Sequence, residues 1–161
     1  MATDPRFTFR LPAGWEARPS TATPVPGVDF AALYGVSDQG FTPNITVAAQ
    51  RVPGGADVAS LADQTVALLR RSHPDLQEIR RARLGTDSAP GVGQEVRFSA
   101  ALADQEVELT QLHVIVAAGP LSGPEGQLVL KSAFTATSRQ APSLLPAFQQ
   151  FVASLQVVAE D

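Results

Sequence analysis

The architecture of this chain follows from the stretch Phe7-Thr8-Phe9-Arg10-Leu11-Pro12-Ala13-Gly14-Trp15. Its apolar residues alternate with polar ones, which is the period of a strand with one buried face. Pro12 ends the strand because it lacks an N–H donor, and Gly14 permits a tight turn. That turn returns Trp15, the only tryptophan, to the sheet. We therefore predict a core or rim packing role for Trp15; the alternative is a platform on which a ligand stacks.

The composition indicates one globular domain and excludes several classes of function. The chain has 161 residues, of which 44% are hydrophobic, so it is large enough to bury a core without disulfides or a structural metal. It has no cysteine, which excludes disulfides, thiolate zinc sites and a cysteine nucleophile. A formal net charge of −4 argues against a general nucleic-acid binder. The sequence therefore predicts a single domain over residues 1–161.

The distribution of apolar residues predicts no membrane span. No run approaches the roughly 18 apolar residues of a transmembrane helix. The first residues lack the basic start and the apolar stretch of a signal peptide. We therefore expect a cytoplasmic protein, or a secreted or envelope protein if a leader has been removed.

Hydrophobic periodicity assigns the elements of the first half of the chain. The predicted elements are strands at residues 28–36 and 44–52, a turn at residues 38–40, and a helix from Val58 to about Leu69. The short turn between the two strands predicts a hairpin. Asp57 or Ser60 is the expected cap of the helix, and the sequence at residues 72–75 ends it.

The second half of the chain predicts four further strands and a closing helix. The strands lie at residues 78–86, 94–102, 106–117 and 127–137, and the helix begins near Pro142 and includes Leu145, Phe148, Val152 and Leu155. Several positions in the last two strands are apolar on both faces, as a sheet covered on both sides requires. Strands in blocks, separated by one helix and closed by another, favour an α+β fold. We predict a mainly antiparallel sheet with helices on both faces.

The order of these elements, with two short motifs, resembles the Mog1/PsbP-like superfamily. The motifs are Phe-x-Phe-x-Leu-Pro-x-Gly-Trp at residues 7–15 and Phe-x-Pro-Asn-Ile-x-Val at residues 41–47. The resemblance covers about residues 6–157. Within the superfamily, the second motif looks most like the LpqN/LpqT-type proteins of actinobacteria. The DcrB-like group, which includes the Eag chaperones of type VI secretion, is a more distant resemblance.

What the resemblance implies is an α/β/α sandwich and a role without catalysis or cofactor. Members act as binding modules, assembly factors or escorts for other proteins, and the family supplies no catalytic residue. LpqN-type proteins are lipoproteins with a signal peptide and a lipidated cysteine, neither of which is found in this sequence. Eag-type chaperones are cytoplasmic and shield apolar segments of secreted proteins. The resemblance therefore implies a protein partner, linked to secretion or to the envelope.

Few residues are candidates for catalysis or metal binding. His73 and His113 are the only histidines, and we interpret them as a helix terminator and an ordinary strand residue. Asp104, Glu106 and Glu108 form an acidic run in which the last two lie about 7 Å apart on one strand face. That pair would suit a hard cation or paired-carboxylate chemistry. A solvated strand edge that discourages edge-to-edge pairing is the simpler interpretation.

The sharpest charge asymmetry is a cluster of arginines: Arg70, Arg71, Arg80, Arg81 and Arg83. Such a cluster would bind an acidic partner or a phosphate-bearing ligand through bidentate pairing. The alternative is a helix C-terminus, where the dipole favours cations, followed by an exposed charged strand. With Trp15 and Tyr34, these arginines are the residues that we predict to bind a partner.

Three hypotheses of function follow. The first is a non-catalytic protein-binding module, adaptor or escort, which engages its partner through a groove between sheet and helices or through an edge strand. The second is a small-molecule or lipid carrier, in which Trp15 and Tyr34 line a pocket. The third is an enzyme, which would need the acidic run and His113 to converge. A homodimer through sheet edges stays open.

Overall fold

Strands account for most of the secondary structure in this chain, for which a computed structural model describes residues 6–17, 30–52, 57–86, 89–117 and 126–158. In chain order the elements are β1 (Arg6–Thr8), β2 (Trp15–Ala17), β3 (Phe30–Tyr34), β4 (Asn44–Val52), α1 (Val58–Ser72), β5 (Gln77–Gly85), β6 (Pro90–Leu102), β7 (Gln105–Ala117), β8 (Gln127–Thr137), α2 (Ala141–Ser154) and β9 (Gln156–Val158). Seven strands form one antiparallel sheet in the order β2-β3-β4-β8-β7-β6-β5. β1 and β9 form a separate antiparallel pair.

The two helices pack on opposite faces of the large sheet. Side chains alternate between faces along a strand, and in β7 Leu112 and Val114 contact the cluster around α2 while Ile115 contacts the cluster around α1. This arrangement confirms the predicted α+β sandwich with an antiparallel sheet. In the described part of the chain, neither helix has the length and apolar character needed to cross a bilayer.

Helix α1 forms because a strong cap precedes an amphipathic stretch. The Asp57 side chain accepts a hydrogen bond from the Ala59 N–H at 3.1 Å, which satisfies a donor that the first turn leaves free. The residues that it buries are Val58, Ala62, Thr65 and Val66. The helix ends at His73, whose N–H bonds the Leu69 carbonyl at 2.8 Å and whose ring stacks on Phe98 with centroids 4.2 Å apart.

Helix α2 covers the other face with aromatic side chains. Pro142 lies in the first turn, where its missing N–H costs no intrahelical hydrogen bond. The ring of Phe148 stacks on Phe134 of β8 with centroids 5.4 Å apart, and Phe151 lies 5.4 Å from Phe9. The aromatic cluster fills the space between α2 and the sheet over β8, β4 and β3.

The first predicted strand is shorter than its alternation suggests. Pairing covers only Arg6–Thr8, and the chain then turns, with the Trp15 N–H bonding the Pro12 carbonyl at 3.3 Å. Trp15 therefore begins β2, and β1 pairs with β9, which the sequence does not predict because the two strands lie at opposite ends of the chain. Leu155 is the C-cap of α2 rather than part of it. Residues 28 and 29, where a predicted strand begins, lie outside the described residues.

Candidate functional site

Two helices do not cover a seven-stranded sheet. Strands about 4.8 Å apart make such a sheet about 29 Å wide, whereas one helix covers roughly 10 Å. Helix α1 lies over β6 and β7, and α2 packs over β8, β4 and β3 on the opposite face. On the α2 side, the surface of β5, β6 and β7 is therefore left uncovered beside the helix.

This uncovered surface forms a groove along α2, which we call the α2 groove. It has two lobes of about 430 Å³ and 330 Å³, and both are open to solvent. The residues common to both lobes are Arg80, Glu95, Leu112 and Leu145. Val114 and Val152 continue the aliphatic wall in the larger lobe, and Ala141 continues it in the smaller.

One buried carboxylate lies in the floor of the α2 groove. The Glu95 side chain is 8% exposed, and its oxygens accept hydrogen bonds from Arg80 Nε at 3.0 Å and from Arg97 Nη2 at 3.2 Å. A buried charge needs such partners, since an isolated carboxylate would be costly to desolvate. The side chains of Arg80 and Arg97 are 68% and 44% exposed, so the three groups together place one excess positive charge at the mouth of the groove.

A β-bulge in β5 shapes the rim of the groove. The register with β6 shifts between Glu78 and Arg80, which leaves Ile79 without a partner in the ladder. Ile79 lines the smaller lobe and Leu84 the larger, and each is 39% exposed. These two side chains carry the apolar wall outward to the edge strand.

The structure distributes the five predicted arginines over both faces of the sheet. Arg80 faces the α2 groove, whereas Arg81 turns to the α1 side and donates to Asp63 Oδ1 at 2.7 Å. In the last turn of α1, Arg70 pairs with Glu78 at 3.2 Å. Of the five, Arg80 alone lines the α2 groove; the others are Arg70, Arg71, Arg81 and Arg83.

Trp15 and Tyr34 pack against each other at the end of the sheet opposite β5. Trp15 is buried, and its ring centroid lies 5.2 Å from Tyr34 and 6.2 Å from Phe134. Gly14 permits this packing: its φ is +91°, and a Cβ there would lie 3.0 Å from Tyr34 Cε1. Neither ring lines the α2 groove.

The acidic run and His113 do not converge. Glu106 and Glu108 are exposed and, by alternation with Leu112, face the α2 side, whereas His113 is buried on the α1 side. His113 lies five positions after Glu108 along the strand, which is about 17 Å. In residues 6–17, 30–52, 57–86, 89–117 and 126–158, no three acidic or histidine side chains come together as a metal site. The constellation that the enzyme hypothesis needs is therefore not assembled there.

His113 belongs instead to a buried hydrogen-bond network. Its Nδ1 accepts from Gln94 Nε2 at 3.2 Å, and its Nε2 donates to Gln111 Oε1 at 2.6 Å. Gln94 Oε1 accepts two bonds from Arg81, at 3.2 and 2.9 Å, which orients its amide nitrogen toward the imidazole. The ring is therefore neutral. Burial, and secondarily the charge of Lys131, lowers the pKa of His113 to about 3.

Sequence reasoning missed Glu95 and Arg97 as site residues. One local signal was present: Glu95 is a charged residue in the middle of a strand that is otherwise rich in small and apolar residues. Pairing of Glu95 with Arg80 depends on the β5–β6 register and on the bulge, neither of which the local pattern encodes.

Comparisons with known proteins add to this picture. No family model matches the chain, and no curated protein matches it. Among solved structures, LpqN of Mycobacterium tuberculosis superposes with a TM-score of 0.67 at 15% identity, covering 97% of this chain and 85% of LpqN. Cyanobacterial PsbP from Synechocystis gives 0.62 at 14% identity over 94% and 86% of the two chains. The Saccharomyces cerevisiae Ran-binding protein Mog1p gives 0.61 at 12% identity over 98% and 97%.

These superpositions define the class: the chain has the Mog1/PsbP-like fold that its motifs and order of elements implied. LpqN, one of the three, is described as involved in cell envelope biogenesis. With identities of 12–15%, the likeness establishes the fold alone.

Proposed function

We propose that this chain is a non-catalytic protein-binding module, an adaptor or escort, that takes an apolar segment of a partner protein into the α2 groove. An acidic side chain of that segment meets Arg80 and Arg97. The observation that carries the proposal is the open aliphatic groove beside α2 with two exposed guanidiniums at its mouth.

The shape of the groove supports a peptide as its occupant. The helix wall runs from Ala141 to Val152, which is about 16 Å along the helix axis. About five residues of extended peptide span that length. Both lobes are open to solvent, so a peptide chain can reach the groove from outside.

The charges at the mouth support an acidic residue in the partner. Arg80 and Arg97 share the single carboxylate of Glu95, and each guanidinium has five N–H donors, so most of the donors are left for a second carboxylate. Guanidinium and carboxylate form paired, charge-assisted hydrogen bonds. Leu112 and Leu145 in the floor favour apolar side chains on either side of the acidic one.

One protein of the same fold supports a protein partner, since Mog1p is described as a Ran-binding protein. LpqN, which also has this fold, is described as involved in cell envelope biogenesis. We propose by analogy that the partner is found among proteins of secretion or envelope assembly.

A photocrosslinking experiment tests the proposal. We would place p-benzoylphenylalanine at Gln149, an exposed position that lines the groove, and in a matched variant at Gln50, which is exposed on the α1 side. The expected result is one protein adduct from Gln149 in cells of the source organism, mapped to an apolar segment with an acidic residue. The purified partner should then bind the wild type and lose affinity for the Arg80→Ala variant. Equal adducts from Gln50, or a polar or basic mapped segment, would contradict the proposal.

The carrier hypothesis has a separate observation in its favour, the volume of the larger lobe. At about 430 Å³ it falls in the range of roughly 300–1,000 Å³ that is typical of small-molecule pockets. In the same experiment, a lipid or metabolite adduct at Gln149 in place of a protein would support the carrier.

A further inference from the structure

The chain has a single lysine, Lys131, among twelve basic residues. It lies on β8 and faces α1, on the side of the sheet opposite the α2 groove. There it lines a cleft, open to solvent and about 240 Å³ in volume, that we call the Lys131 cleft. Its other lining residues include Ala48, Thr65, Leu68, Leu69 and Gln111.

The positive charge of Lys131 has a neutral partner. Nζ donates to Thr65 Oγ1 at 3.0 Å, and the Thr65 hydroxyl donates in turn to the Leu61 carbonyl at 3.0 Å. In the part of the chain that the structure describes, no carboxylate forms an ion pair with Nζ. An ammonium has three N–H donors, so two are left for a ligand.

The neighbouring groups do not supply the missing negative charge. The other titratable group that lines the cleft is His113, which is neutral and hydrogen-bonded to Gln111. Desolvation lowers the pKa of Lys131, which is the response of a cation that burial has left uncompensated. A bound anion would compensate the positive charge of Lys131.

The lining selects the kind of anion. One ammonium without a guanidinium suits a monoanion, whereas phosphate groups are more often held by several donors or by arginine. The aliphatic side chains of Leu68, Leu69 and Ala48 suit an apolar body. The volume of about 240 Å³ lies below the usual range of pockets for drug-sized ligands, roughly 300–1,000 Å³.

We propose that the Lys131 cleft binds a small aliphatic carboxylate, with the carboxylate on Nζ and the hydrocarbon chain against Leu68 and Leu69. The site is independent of the α2 groove, because it lies on the opposite face of the sheet. Failure of either proposal therefore leaves the other standing.

The single lysine makes the site directly observable. Protein labelled with ¹³C at lysine Cε gives one side-chain resonance, which reports Lys131 without assignment. We would titrate it with hexanoate, and with hexanol and hexylamine as uncharged and cationic controls of equal length. We expect a saturable shift and a rise in the pKa of Lys131 with hexanoate alone. An unshifted resonance, or an equal shift with hexanol, would overturn the proposal.

A pair of variants tests the site without altering Lys131. Leu68 is 59% exposed at the cleft, and Leu68→Glu would add a competing carboxylate to the lining that it shares with Lys131. Ala67→Glu adds the same charge at the preceding residue of α1, which is exposed and does not line the Lys131 cleft. We expect Leu68→Glu to weaken hexanoate binding about tenfold or more, as loss of a charged hydrogen bond would, and Ala67→Glu to leave it nearly unchanged. An equal loss in both would indicate general electrostatics and overturn the proposal.

Discussion

Arg80 Nε donates to Glu95 Oε1 at 3.0 Å across the β5–β6 ladder, which joins an exposed guanidinium to a buried carboxylate in the floor of the α2 groove. The next residue, Arg81, turns to the other face and bonds Asp63 and Gln94. Two adjacent arginines therefore take part in different structures. Arg80 belongs to the surface that we propose binds a partner, and Arg81 belongs to the hydrogen-bond network that holds His113.

Removal of the buried carboxylate should cost more stability than removal of an exposed one. We expect Glu95→Ala to lower the free energy of unfolding by about 1–3 kcal/mol, because it removes two charge-assisted hydrogen bonds and the packing of a buried side chain. The matched control is Glu78→Ala, which breaks ion pairs of an exposed carboxylate with Arg70 and Arg81 and should cost about 0–1 kcal/mol. Urea unfolding of both variants measures the difference. Equal losses would show that Glu95 is not stabilised by its two partners.

The buried imidazole should make stability depend on pH. The pKa of His113 is about 3 in the folded chain, below its ordinary value of 6.5, so the unfolded chain binds the proton first as pH falls. Its contribution is therefore complete above about pH 6.5 and is lost as pH falls toward 3. We expect the free energy of unfolding to fall by about 1 kcal/mol between pH 6 and pH 5.

A double comparison isolates the effect of His113. In a His73→Gln background, His113 is the one imidazole left to titrate. The slope should persist in that background and disappear when His113→Gln is added. The comparison is of slopes, so it holds even if the second variant is less stable. A flat profile in the background alone would contradict a neutral, buried His113.

A side chain in the turn before Trp15 should destabilise the fold. Gly14 and Gly40 both have positive φ, at +91° and +81°, but only at Gly14 would a Cβ meet another group, the Tyr34 ring. We expect Gly40→Ala to cost about 1 kcal/mol from backbone strain and Gly14→Ala about 1 kcal/mol more from the contact. Thermal and urea unfolding of the pair measures the difference. Equal costs would mean that the Tyr34 ring moves aside freely.

Partner binding should depend on Arg80, which lines the α2 groove, and not on the arginines of the α1 side. Once a partner segment is identified, we expect Arg80→Ala to weaken its binding about tenfold, or roughly 1.4 kcal/mol. Arg70→Ala, on the α1 side and paired with Glu78, should leave the affinity unchanged. Titration calorimetry with the purified segment measures both. A larger loss from Arg70→Ala would move the binding surface to the other face.

Local patterns predicted most of the fold and little of the candidate site. The bounds of β4 and β8 agree with the predicted strands at residues 44–52 and 127–137, because β4 begins with alternating buried side chains and β8 is buried on both faces. The cap at Asp57 and the stop at His73 are likewise local. The arginine cluster was visible as a charge run, but which arginine meets Glu95 in the α2 groove depends on the β5–β6 register and its bulge at Ile79.

The amino-acid sequence by itself determined the α+β class, the helices on both faces and the absence of any thiol chemistry, since these follow from periodicity and composition. Only the tertiary structure decided where the two helices sit over seven strands, and hence which strip of sheet is left open as the α2 groove. It also decided that Glu95 meets Arg80 and that β1 meets β9. Such contacts join residues that are distant in sequence, and their geometry is set by strand register and helix placement rather than by any local pattern.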